Sequence, residues 1–281
     1  MISFPNAKIN LGLNILRRRE DGYHDIETLM YPIGLTDALE IVTPKSDERD
    51  VPYRLFADGR TICGDVEDNL VVKAMKVMFD DAGKDIPNVD IHLLKNIPMG
   101  AGMGGGSADA AFMLKMLNDK FELGYDTKGL ERLALKVGAD CPFFIVNEPA
   151  LASGIGDKLE RVDLDLSGWH LLVVLPDVVV STKEAYSWVV PKQPEVSLRE
   201  VVNMPVSEWR GVMKNDFEDA LFDKYPDLCA IKEEMYELGA VYASMSGSGS
   251  ALYGLFEEAP DIGGRFEDCY VWQCVVGEED K

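Results

Sequence analysis

Between residues 6 and 16 apolar and polar positions alternate. Ala7, Ile9, Leu11, Leu13 and Ile15 fall on one side, and Lys8, Asn10, Gly12 and Asn14 on the other. That period of two predicts a half-buried strand. A turn at Asp21-Gly22 then leads into a second strand. "TDALEIV" predicts another, and "YRLFADGRTI" predicts strands around a turn at Asp58-Gly59. The spacing becomes helical in "EDNLVVKAMKVMFDDAG", with Gly83 as its C-terminal stop. "VDIHLL" is a short strand, and a helix is expected from Ser107 to Asn118. In "TKGLERLALKVG", Leu130, Leu133, Ala134 and Val137 share one helical face and Gly138 closes it, after which "CPFFIV" reads as a strand.

The pattern shifts at "NEPALASGIGD", which predicts a boundary there. Beyond it come a buried strand "HLLVVL", helices near 213–223 and 226–238, and final strands. A Gly/Ser cluster in "SMSGSGSALYGLF" is pinned between two strand-like runs, which predicts a tight functional turn. The sum is an α+β protein of two domains, residues 1–155 and 156–281.

Composition narrows the chemistry. No apolar run approaches the roughly 20 residues that span a bilayer. The opening "MISFPNAKINLG" lacks the regions of a signal peptide, so a cytoplasmic location is expected. Cys63, Cys141, Cys229, Cys269 and Cys274 form no CxxC pair, which argues against a disulfide framework or a zinc site. His92 and His170 lie in strand-like runs and are expected to be structural. A net charge of −21 argues against nucleic acid or an anionic membrane as partner. An anionic ligand must therefore be held by local backbone donors and a few placed cations.

Such donors are concentrated in "NIPMGAGMGGGSADAAFML", where Gly100, Gly102, Gly104, Gly105 and Gly106 directly precede a helix. Main-chain amides converge on phosphate only where side chains do not obstruct it, and a helix N-terminus adds unpaired donors and partial positive charge. Ser107 suits the N-cap and Asp109 the first turn. The spacing of Gly100, Gly102 and Gly105 fits a dinucleotide fingerprint, but "KNIPM" separates it from its strand. Gly106 is followed by Ser107 and not by Lys, so a Walker A loop does not fit; a kinase-type glycine hairpin would run into a strand.

"PMGAGMGGGSADAA", the N-terminal "PNAKINLGL" and the C-terminal "SGSGSALYGLF" together resemble the three motifs of the GHMP kinases, in the right order. The resemblance implies a two-domain fold, with an N-terminal domain like ribosomal protein S5 domain 2 and a ferredoxin-like C-terminal domain. "PNAKINLGLNILRRREDGYHDIETLM", "GADCPFF" and "PDVVVSTKEAY" further resemble a branch of that family acting on a cytidine-diphosphate-linked methylerythritol, in the non-mevalonate route to isoprenoid precursors. ATP and Mg²⁺ would be the cofactors, and a monomer or weak homodimer is expected. Another small-molecule GHMP kinase, of homoserine or mevalonate type, and a nucleotide-binding sensor without turnover are the competing readings.

From sequence alone Asp140 could be an ordinary turn residue; its match to the family's "GxDxP" motif implies the catalytic base. Lys8 could be a solvent-facing strand lysine; the match to "AKxN" places it beside that aspartate, where it lowers the proton affinity of the acceptor hydroxyl. Asn10, about 7 Å along the same side of the strand, would bond the polyol hydroxyls. The resemblance assigns the nucleotide to Pro98, Met99, Gly100, Gly102, Gly104, Gly105, Gly106, Ser107 and Asn69, with Asn69 and Met99 bordering adenine. Ser107 would also touch the ATP-bound Mg²⁺. Tyr23, His24 and Tyr186 would hold cytosine, and Gly247 and Gly249 would let the third motif approach the substrate's phosphates or brace the glycine loop.

Overall fold

The structure, a computed structural model, describes residues 1–44, 51–62 and 64–278. Its elements in chain order begin with β1 (Ile2–Ser3), β2 (Asn6–Arg18), β3 (His24–Thr36), β4 (Ala38–Val42) and β5 (Tyr53–Gly59). Next come α1 (Leu70–Asp81), β6 (Val89–Lys95), α2 (Gly105–Lys120), α3 (Thr127–Val137) and α4 (Cys141–Val146). The C-terminal part holds β7 (Ala150–Gly154), β8 (Lys158–Arg161), β9 (His170–Leu175), α5 (Thr182–Trp188) and α6 (Leu198–Val201). It ends with α7 (Phe217–Lys224), α8 (Pro226–Glu237), β10 (Tyr242–Met245), β11 (Leu252–Phe256) and β12 (Tyr270–Val275).

The chain gathers into two compact units. One comprises Met1–Ala7, Leu35–Met99 and Gly104–Glu148; the other comprises Lys8–Gly34, Gly100–Met103 and Pro149–Lys281. This grouping differs from a single cut after residue 155, because most of β2 and β3 and four residues of the glycine loop join the C-terminal half. The chain passes from one unit to the other between Glu148 and Pro149, within the stretch where a boundary was expected, and β7 follows there, pairing with β3 from Ile26↔Gly154 to Met30↔Ala150.

In the first unit a four-stranded sheet is ordered β1-β4-β6-β5, and α1, α2 and α3 pack on one another, with α2 against β4. Ile41, Val89, Ile91 and Leu93 of the sheet are buried, as are Val72, Met75 and Met78 of α1 and Ala111, Leu114 and Leu117 of α2. Asn69 caps α1 by accepting from the Val71 amide, and Gly83, at φ +61°, ends it with a pair of reversed hydrogen bonds, Lys84 N to Phe79 O and Gly83 N to Asp80 O. α2 buries residues all round, as its composition predicts, and so forms a rigid mount.

The second unit holds two sheets, β2-β3-β7-β8 and β10-β11-β9-β12, the latter packed by α8. Leu172, Val174, Phe217, Leu221, Leu228, Met235 and Leu252 form the core there. Among the described residues no helix is long and apolar enough to cross a membrane. Cys141, Cys229, Cys269 and Cys274 form no disulfide among the described residues; Cys63 lies outside them.

Several expectations are corrected. "CPFFIV" is helix α4 and not a strand: a short apolar run has no readable period, and Pro142 fits the first turn of a helix, where its missing N–H costs nothing. Residues 53–62 hold one strand, β5 (Tyr53–Gly59), paired in parallel with β6, and not two strands around Asp58-Gly59. The helix expected at 213–223 starts at Phe217, because residues 214–216 are engaged with β2. Ser107 is not the N-cap of α2; the helix begins at Gly105, with Gly104 at φ +70° before it. β2 is buried on both faces, so the alternation of its side chains does not separate core from water.

Candidate active site

In the second unit β2 turns polar side chains into a protein interior. Lys8 is 3% exposed and Asn10 2%. The Lys8 ammonium donates to the Gly102 carbonyl at 2.8 Å and to the Asn10 side-chain oxygen. A buried ammonium is tolerated only when paired or hydrogen-bonded, and these contacts fix the side chain in place. Asn10 is held in turn: its Nδ2 donates to Thr28 Oγ1 at 2.9 Å, its main-chain N–H to Ser246 Oγ at 3.1 Å, and its carbonyl accepts from the Tyr253 hydroxyl at 2.9 Å.

The Gly102 carbonyl also accepts from Ser246 Oγ at 2.9 Å. Gly102 has φ +77°, and a Cβ on it would lie 2.0 Å from the Ser246 carbonyl oxygen. No other residue fits that approach. A Cβ on Gly247 would meet Asn10 Oδ1 and Gly102 O at 3.2 Å each, and one on Gly249 would come within 2.7 Å of Met245 Sδ. The Gly/Ser cluster is thus the tight turn between β10 and β11. It brings together Lys8, Asn10, Gly102, Gly247 and, through Met245, Gly249.

Elsewhere in this unit the His24 and Tyr186 rings stack at 4.8 Å and 16°, with Phe217 edge-on to Tyr186 at 4.9 Å. Tyr186 stands on α5, whose Ser181 hydroxyl accepts from the Glu184 amide and donates to the Glu184 carboxylate. The Ser-x-x-Glu spacing in "STKE" signals that helix start. Partial burial, then the nearby Arg18, lowers the His24 pKa, favouring a neutral ring that can both donate and accept. Tyr23 is 62% exposed and stands outside this stack.

The first unit holds the rest of the expected site. Pro98 is buried and Met99 exposed. A Cβ on Gly105 would meet Ile97 and Lys95 Nζ, and one on Gly106 would lie 3.4 Å from Leu70, the residue after Asn69. Ser107 sits in the first turn of α2 and hydrogen-bonds the Cys141 thiol, whose pKa burial pushes up to about 12. A Cβ on Gly138 would lie 3.2 Å from that sulfur and 4.0 Å from Ser107 Oγ. Half-buried Asp140 immediately precedes α4, so Ser107 and the Asp140 junction are neighbours. Lys8 and Asp140 belong to different units.

Beneath α2, Lys95 Nζ donates to Asp109 at 2.7 Å and to Asp37, both carboxylates buried. Asp37 also accepts from the amides of Asn96 and Ile97 at 2.6 and 2.8 Å, fixing the entry to the loop. Neither this cluster nor Ser246 was singled out by periodicity: a polar residue facing inward leaves no trace in a hydrophobic pattern. Asp109 was expected in the first turn of α2; because the helix begins at Gly105 it lies beyond that turn, and it is 2% exposed.

Residues 69–148 match the GHMP kinases N terminal domain and residues 203–266 the GHMP kinases C terminal domain. A Parabacteroides distasonis protein named 4-diphosphocytidyl-2-C-methyl-D-erythritol kinase is 51% identical over 275 residues, covering 97% of this chain and 98% of the relative. The Bacteroides fragilis protein of the same name is 53% identical over 262 residues, covering 93% and 94%. The chain belongs to the 4-diphosphocytidyl-2-C-methyl-D-erythritol kinase family of the GHMP kinases. A crystal structure of 4-(cytidine 5'-diphospho)-2C-methyl-D-erythritol kinase superposes with a TM-score of 0.79 at 33% identity, covering 97% of this chain and 98% of that one. Methanococcus jannaschii mevalonate kinase, at 13% identity and a TM-score of 0.70, shares the fold. The α+β, two-domain GHMP architecture expected from the motifs is therefore the fold of this kinase.

Proposed function

We propose that the chain transfers the γ-phosphoryl group of ATP to the 2-hydroxyl of 4-diphosphocytidyl-2-C-methyl-D-erythritol, in the non-mevalonate route to isoprenoid precursors. The observation that carries the residue assignments is the burial of Lys8, with its ammonium tethered to the Gly102 carbonyl of the glycine loop. A solvent-facing lysine would have neither property. Names and coverage of the relatives support the substrate; the His24–Tyr186 stack supports a base-bearing one, since homoserine and mevalonate offer no ring to stack.

In this reading Asp140 accepts the proton of the 2-hydroxyl as its oxygen forms a bond to the γ-phosphorus and the bond to ADP breaks. Lys8 lowers the proton affinity of that hydroxyl and offsets charge on the transferring group. Asn10 bonds the polyol hydroxyls. Amides of Gly100, Gly102, Gly104, Gly105 and Gly106 and the N-terminus of α2 hold the polyphosphate, with Pro98, Met99 and Asn69 along the nucleoside. The Asn69 side-chain oxygen is committed to its cap, which leaves its Nδ2 for the base. Gly247 and Gly249 give backbone access to the substrate's phosphates, and Tyr23, His24 and Tyr186 hold cytosine.

Among the described residues no group of three or more His, Cys, Asp or Glu could hold a metal ion. A half-buried Ser107 hydroxyl in the first turn of α2 fits an ion that keeps most of its ligands as water and phosphate oxygens, as Mg²⁺ does. Such an ion would neutralise charge between the β- and γ-phosphates. The chain acts in the cytoplasm, as a monomer or weak homodimer, with residues 1–155 as its catalytic half and 156–281 completing the substrate side.

The test is a coupled ADP-release assay with the cytidylyl substrate, mevalonate and homoserine side by side, together with Asp140→Asn. Turnover is expected with the first alone. Asp140→Asn should lose at least about 10²-fold in kcat while both substrate affinities stay within a few-fold. Near wild-type turnover in the variant would remove Asp140 from its role.

A further inference from the structure

The turn that meets Gly102 is held from below by a segment that no motif covers, Asn215-Asp216-Phe217-Glu218. Asn215 is 2% exposed. Its Nδ2 donates to the carbonyls of Met245 at 2.7 Å and Gly247 at 2.8 Å, and its Oδ1 accepts from the Phe217 amide at 3.0 Å. Only an amide can supply two donors and one acceptor from so short a side chain.

The main chain at the same residue is bonded to β2. Leu13 N donates to Lys214 O and Asp216 N to Leu13 O, each at 2.8 Å, forming a parallel bridge between Leu13 and Asn215. The Asp216 carboxylate accepts from Ile15 N at 2.7 Å. On the other side Glu218 accepts from Ser244 Oγ at 2.9 Å and from Met245 N at 2.8 Å, with Lys232 on its second oxygen at 2.6 Å.

We propose that Asn215 is a positioning residue for the transfer, its amide locking the Met245–Gly247 backbone onto the strand that carries Lys8 and Asn10. The chain of contacts is short. Ser246, between the two clamped carbonyls, donates to Gly102 O, and that oxygen accepts from Lys8 Nζ. Release of the clamp leaves two buried carbonyls without donors, a cost the turn relieves only by moving. A shift of about 1 Å in a reacting group costs about 10²-fold in rate. The inference rests on the reading of Lys8 as a group at the acceptor alcohol.

The experiment compares Asn215→Ala with Leu228→Ala, a cavity variant in the same core, at saturating ATP and cytidylyl substrate, after Tm values are recorded for both. Asn215→Ala should lose at least 30-fold in kcat with the substrate KM within threefold, and amide hydrogen exchange of residues 246–250 should accelerate at least tenfold. Leu228→Ala should keep kcat within threefold at a temperature well below its Tm. If Asn215→Ala does not fold, Asn215→Asp keeps the volume and the Phe217 acceptor while setting a carboxylate against the two carbonyls, and the same loss is expected. Wild-type kcat in the soluble Asn215 variant, unchanged exchange, or a loss of rate by both variants in proportion to Tm would each overturn the proposal. Absence of wild-type turnover would instead overturn the substrate assignment, and the exchange comparison would still decide whether Asn215 clamps the turn.

Discussion

Gly100 and Gly102 separate conformational strain from steric contact within one loop. Both have left-handed backbones, φ +67° and +77°, so alanine costs each about 1–2 kcal/mol in strain. Around Gly100 the added Cβ meets nothing within 4 Å; at Gly102 it would sit 2.0 Å from the Ser246 carbonyl oxygen and 2.9 Å from its carbon. These are backbone atoms of a turn that is itself clamped, so no side chain can swing away. The overlap adds about 1–3 kcal/mol. Displacing Gly102 also loosens the hydrogen bond from Lys8 Nζ, a charged donor worth about 1.5–3 kcal/mol. The sum for Gly102→Ala is about 3.5–8 kcal/mol, and each 1.4 kcal/mol is about tenfold in rate. With part of that relieved by relaxation, kcat/KM should fall between about 10² and 10⁴-fold, against about tenfold for Gly100→Ala. Coupled ADP release measures both, with circular dichroism to establish folding. Equal losses in the two variants would show that the contact between the glycine loop and the β10–β11 turn contributes nothing.

Two further outcomes test other parts of the structure. Burial raises the Asp109 carboxyl from its ordinary 3.8 to about 7, with Lys95 opposing and Asp37 reinforcing the rise. A carboxyl raised on folding stabilises fully below its unfolded value, and that contribution is lost as pH rises through the folded one, so stability should decline between about pH 4 and 7. Asp109→Asn should flatten that slope in urea titrations at intervals of one pH unit; parallel curves would refute the assignment. Tyr186→Ala, which removes a stack worth about 0.5–1.5 kcal/mol beyond area, should raise KM for the cytidylyl substrate about tenfold, leave KM for ATP unchanged, and be largely rescued by Tyr186→Phe. A selective rise in KM for ATP would place the ring at the other subsite.

Helices with one apolar stripe were legible because water reads the stripe: α3, with Leu130, Leu133 and Ala134 inward, falls where its periodicity puts it. α4 was not, since Cys141 through Ile145 are buried on every side and a six-residue run shows no period. The glycine loop announced itself by what its residues lack. Lys8 and Asn10 were visible as residue types, but their burial was hidden, because the polar side of β2 faces Ser246 and Tyr253 from more than 230 positions away. The Asn215 segment carried no signal, being polar, aperiodic and committed to partners that only the fold supplies. Alternation reports which side chains avoid water; it is silent on those that replace water with one another.

Ser246 completes the surroundings of Asn10 across 236 residues of chain, which has a consequence for synthesis. At about 5–20 residues per second, β2 leaves the ribosome roughly ten to fifty seconds before the turn that covers it exists. Throughout that interval Lys8, Asn10 and Asn14 line one side of a long strand with groups that water solvates well. Inward polarity thus equips the nascent strand to wait without adhering to its neighbours until its distant partners arrive.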